Sequence, residues 1–67
     1  MKQKRIEYAG HRFDIGDVVM AKIEGKKRMS IILTKCFLGL KPAYVLRDDA
    51  SRIWGAVPEP SISRVLK

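Results

Sequence analysis

Between Val18 and Glu24 the chain alternates. Val19, Ala21 and Ile23 form a wholly apolar face, and Val18, Met20, Lys22 and Glu24 a mixed one. A period of two belongs to a half-buried strand. Helix is the competing assignment, but the two adjacent valines and the glycines at 16 and 25 hold the run to strand length. "IGD" at 15–17 makes the turn before it, and "EGKK" at 24–27 the turn after it. "RMSIILTKCFL" then gives a second strand, with Met29, Ile31 and Leu33 expected toward the core and Ser30, Ile32 and Thr34 outside or under a loop.

"GLKP" breaks that strand, and "AYVLR" supplies a third with Tyr44 and Leu46 on one face. "DDAS" is a polar turn, because Asp and Ser side chains bond back to their own backbone. "RIWGAV" is a fourth strand. "PEPS" cannot lie in a central strand, since each proline lacks a donor. Ile62 and Val65, three apart, fit a short 3-10 turn near Pro58–Ser61 leading into a last strand. Upstream, "IEYAGHRF" suits a small hairpin turning at Gly10. The pattern predicts an all-β domain of five to six short strands, with Val19, Ile23, Ile31, Leu46 and Ile62 buried.

Composition narrows what this domain can be. At 67 residues there is room for one core, and folding buries only about 60% of the unfolded surface. One Cys and one His exclude an internal disulfide and a tetrahedral Cys/His zinc site within one chain. A lone Cys36 suits a reducing compartment, so the expected location is cytoplasmic. No run of about 18 apolar residues is present, so no transmembrane helix is expected. No apolar segment follows the basic "MKQKR", so no signal peptide is expected either. Residues 1–5 read as a flexible basic arm and residues 6–67 as the domain.

Charge changes the picture most. Fourteen basic residues against seven acidic leave +7 on a chain with pI near 10. That balance favours polyanionic partners, nucleic acid first.

The closing "GAVPEPSISRV" resembles the last segment of SH3 folds, with Gly55, Pro58, Ile62 and Val65 at the matching places. The opening "FDIGDVVMAKIEG" resembles the first strand of SH3-like barrels in the Tudor, PWWP and KOW groups. "GDVVMAKIEGKKRMSI" is also similar to small bacterial proteins with the same barrel. The resemblance spans residues 13–66 and implies a single small SH3-like barrel. Departures limit what it carries over. There is no "ALYDY"-type run for a polyproline groove, too few aromatics for a methyl-reading cage, and no "PWWP" block. Residues 43–65 run parallel to the plasmid-borne dihydrofolate reductases. Trp54-Gly55-Ala56 stands near the place of their catalytic Gln-Ile-Tyr stretch, so that activity is not carried over.

No residue constellation points to catalysis. His11 lies near Asp14 and Asp17 but has no Ser or Cys placed as a nucleophile, and reads as an exposed turn histidine. Cys36 reads as a core filler. Asp48-Asp49, flanked by Arg47 and Arg52, read as a solvated turn rather than a metal site. No cofactor is implied.

Two clusters remain as binding candidates. Lys22, Lys26, Lys27 and Arg28 surround a hairpin tip where long cations reach phosphates without disturbing the core. Lys4 and Arg5 in the arm could lie along the same DNA or RNA. Phe37, Leu38 and Leu40 gather around a loop, with Trp54 able to cap them. They offer a patch for a protein partner or a second copy of the chain, as in an interaction module encoded by a bacterium, phage or mobile element; Trp54 could instead stack on a base. No groove-reading helix is visible, so direct base readout is not expected.

Overall fold

A computed structural model describes residues 10–65. The arm at 1–5, with Lys4 and Arg5, and the first half of the hairpin anticipated around Gly10 lie outside the described residues. The chain within them forms five strands: β1 (Val18–Ile23), β2 (Lys26–Leu38), β3 (Lys41–Asp48), β4 (Ile53–Pro58) and β5 (Ile62–Val65). A 3-10 turn, Glu59–Ser61, joins β4 to β5 at the position anticipated, with proline in its first turn. The strands make one antiparallel sheet in the order β4-β3-β2-β1-β5, open at β4 and β5. Residues 10–13, expected to close a hairpin, are not strand. No helix among the described residues is long and apolar enough to cross a membrane.

The β1–β2 turn is the two residues Glu24 and Gly25, at φ 53° and 80°. Positive φ at both central residues gives a turn whose twist matches that of the flanking strands. The turn also fixes the register. Ile23 pairs with Lys26, and Val19 with Ser30. Residues directly opposite share a face. An even-residue turn therefore pairs the odd, buried positions of β1 with the even positions of β2.

That parity overturns the face expected for β2. Ser30 and Ile32 are buried, Ile31 is half-buried, and Met29 and Leu33 are exposed. Side-chain size pointed to Met29, Ile31 and Leu33, but register decides which face a strand buries. Ser30 meets the cost of burial by donating its hydroxyl to the Arg28 carbonyl at 3.2 Å. Ile32 is tied at both backbone groups. Its N–H donates to Asp17 O at 2.9 Å, and its carbonyl accepts from Gly16 N–H at 2.8 Å. The "IGD" turn is thus riveted to the middle of β2.

Three bulges bend the sheet. Leu33 is the extra residue where Ile32 pairs with Leu46 and Thr34 with Val45. Gly55 and Ala56 together oppose Val45, with Ala56 at φ 56°. Ser63 is extra in β5, between Ile62 and Arg64. A bulge increases local twist and curls a sheet around its inner face. Phe13, Val19, Ala21, Ile23, Ile32, Tyr44, Leu46, Val57 and Ile62 fill that concave side, and Trp54 packs against them. Val19, Ile23, Leu46 and Ile62 are buried as the pattern required.

Two polar groups close the core. Tyr44 Oη accepts the backbone N–H of Arg12 at 3.1 Å and of Phe13 at 3.2 Å, and donates to Glu59 at 2.5 Å. The segment before β1, strand β3 and the 3-10 turn thereby meet at one hydroxyl. Burial first, then the bond to Glu59, pushes the Tyr44 pKa up to about 12. Asp48 ends β3 and is also buried, contrary to the solvated turn anticipated for it. His11 is half-buried rather than exposed. Its Nε2–H donates to the Cys36 carbonyl at 2.9 Å, and its ring stands edge-on to Phe37 and Tyr44.

Candidate nucleic-acid interface

The β1–β2 hairpin carries its cations into the strands rather than on a floppy loop. Lys22 stands directly opposite Lys27, and Lys26 opposite Ile23. All three lysines are exposed. By strand alternation Lys22 and Lys27 share the convex face, and Lys26 lies on the other. Like charges directly opposite each other destabilise a sheet, so the pair costs the free protein stability. The one acidic group in the tip is Glu24, in the turn itself.

Arg28 is placed differently. It opposes Ala21 on the concave side and is half-buried. Its guanidinium lies 5.1 Å from the centre of the Trp54 ring, its Nη1 is 4.0 Å from Asp48, and its Nε donates to the Ile23 carbonyl at 3.4 Å. Arg52 approaches the same ring at 5.7 Å. Asp48 organises this group. One carboxylate oxygen accepts the backbone N–H groups of Ala50 and Arg52, each at 2.9 Å, and the other accepts Trp54 Nε1–H at 2.8 Å. The Trp54 bond first, then the Arg52 N–H, holds the Asp48 carboxyl below its ordinary range.

The apolar candidates separate. Phe37, Leu38 and Leu40 are exposed at the β2–β3 end, where Leu38 pairs with Lys41 and Leu40 is 97% exposed. Trp54 is not with them. It pairs with Leu46, five residues along β3 from Lys41, a separation of about 17 Å. The tryptophan belongs with the cationic hairpin. Arg52 and the buried Asp48 were missed by reading the sequence, although an Asp that opens a turn and accepts N–H groups farther along is a recognisable signal.

Among the described residues no group of three or more His, Cys, Asp or Glu side chains could hold a metal ion. Compared with protein-family models, with curated proteins and with solved structures, the chain matches none.

Proposed function

We propose that the chain is a non-enzymatic binding module on a small SH3-like barrel. It holds nucleic acid with little regard to sequence through Lys22, Lys26 and Lys27, with Arg28 behind them. The strand order β4-β3-β2-β1-β5 with a 3-10 turn between β4 and β5 supports the barrel reading. One observation carries the functional reading. Lys22 faces Lys27 across the ladder, a pairing that costs the free protein and that a phosphate backbone relieves, and Lys26 adds a cation at the same tip on the other face. Lys4 and Arg5 would extend the same contact. A cytoplasmic location fits such a partner.

The test is salt dependence, read by fluorescence anisotropy on labelled oligonucleotides. Three neutralised phosphates give a slope of log K against log salt of roughly −2 to −3. Fourfold more salt then weakens binding by roughly 20- to 40-fold. Replacing Lys22, Lys26 and Lys27 with Ala should remove that slope. No binding at moderate salt, or an unchanged slope in the triple variant, overturns the reading. The exposed Leu38 and Leu40 support a second one, a protein-interaction module working through Phe37, Leu38 and Leu40.

A further inference from the structure

Gly55 shares the β4 bulge with Ala56, a common place for glycine, but no steric demand of the fold excludes a side chain there. Its φ is not in the positive region that excludes other residues. A Cβ added there would meet nothing within 4 Å. The residue is exposed in the edge strand β4, where a missing side chain weakens the strand. The missing side chain also leaves the backbone open to close approach from outside the fold.

The space in front of it is a cleft of about 290 Å³. Trp54, Gly55 and Pro58 line one side, Lys22 and Glu24 another, and Ser61 contributes from the 3-10 turn. Trp54 is half-buried, packed on the core and bordering the cleft. Its ring cannot swing freely, because Asp48 holds the indole N–H and Arg28 and Arg52 sit against the ring. A ring held in this way loses little freedom when a flat ligand packs on the part that borders the cleft. Three cations, Lys22 on the cleft and Arg28 and Arg52 at the ring, stand against two acids, Glu24 on the cleft and Asp48 on the indole N–H.

We infer that the form of nucleic acid bound is single-stranded, with one unstacked base in this cleft against Trp54 and over Gly55. This rests on the nucleic-acid reading above. The lysine tip alone makes no distinction between strand forms, since both carry phosphates. The cleft does. A duplex keeps its bases paired and stacked, whereas a single strand can turn one onto an aromatic ring while its phosphates follow the cations. Lys22 belongs to both the tip and the cleft's rim, so a strand whose phosphates follow Lys27 and Lys22 reaches the cleft.

The experiment uses a 12-nucleotide oligothymidylate and a mixed-sequence 12-base-pair duplex. Trp54 is the only tryptophan, so its emission reports the site directly. The single strand should quench that emission and bind more tightly than the duplex. Loss of one stacked base corresponds to roughly 5- to 150-fold in affinity. Gly55→Val should cost a factor in that range for the single strand, leave duplex binding unchanged and not lower the melting temperature. Equal affinity for both forms, unquenched emission at saturation, or wild-type affinity in the Gly55→Val protein overturns the inference and leaves the lysine tip intact. Absence of binding to either probe overturns both. The quenching is measured on the wild-type chain, so it decides the question even if the variant fails to fold.

Discussion

Trp54 donates its indole N–H to Asp48 at 2.8 Å, and that carboxylate is buried at the end of the neighbouring strand. The bond reaches across the turn at 49–52 and fixes the angle at which the ring meets Arg28 and Arg52. A residue expected to be solvated turn polarity is therefore the anchor of the aromatic site.

Acid should release that anchor. The folded Asp48 pKa lies below its ordinary 3.8, so its contribution is fully present above that value and is lost as pH falls through the folded one. Trp54 emission followed from pH 6 downward should change below about 3.8. In Asp48→Asn the baseline melting temperature should be lower, and the part of the acid loss due to this carboxylate should vanish. An acid profile identical in both proteins would remove Asp48 from this role.

Tyr44 has the opposite sign. Its folded pKa of about 12 stands above the ordinary 10.0, so the stability it contributes is present below pH 10 and is lost as pH rises toward 12. Tyr44→Phe leaves the buried N–H of Phe13 without that acceptor and removes one of Glu59's two donors, the other being the Arg12 N–H. The expected cost is about 1–3 kcal/mol at neutral pH. Denaturant unfolding at pH 8 and pH 11 should show the difference between the two proteins shrinking at the higher pH.

The register gives a paired test in β2. Ile32→Ala removes a fully buried side chain and should cost about 2–5 kcal/mol. Met29→Ala, three residues away on the exposed face, should change stability by about 0.5 kcal/mol or less. Thermal melts of the two variants that came out equal would place the core on the wrong side of β2.

Lys22 and Lys27 make a prediction about the free protein. Lys27→Ala should stabilise the hairpin by about 0.2–1 kcal/mol at low salt. The gain should fade as ionic strength rises, because the repulsion is between exposed charges. Unfolding midpoints at 20 mM and 500 mM salt, compared between variant and wild type, measure it. A gain that does not depend on salt would mean the pair does not repel.

Most of the architecture was legible in the chain. β1 declared itself by alternation, the prolines after Val57 excluded a central strand, and Gly55, Pro58 and Ile62 located the 3-10 turn. What failed was long-range. Nothing local in "RMSIIL" says which face it buries; the length of the turn before it does, and hydrophobicity alone favoured the larger residues. The candidate site was half legible. The lysines are local to one hairpin and were found as a group. Trp54 was left between the apolar loop and a stacked base, because sequence proximity cannot show that the β3–β4 pairing sets it at the opposite end from Leu38. Asp48 was missed because its partners are made by the fold.

An open sheet has two free ladders, and each could template a strand from another molecule. Here both are spoiled. Ala56 breaks the regular spacing of β4 and Pro58 withholds an amide, while Ser63 displaces β5 and turns its hydroxyl back onto the Met20 carbonyl. An incoming chain would find only a few residues in register before the pairing failed. The same irregularities that curl this sheet around its core thus act as guards against growth into ribbons. Concentrated solutions of the protein should stay free of cross-β fibres.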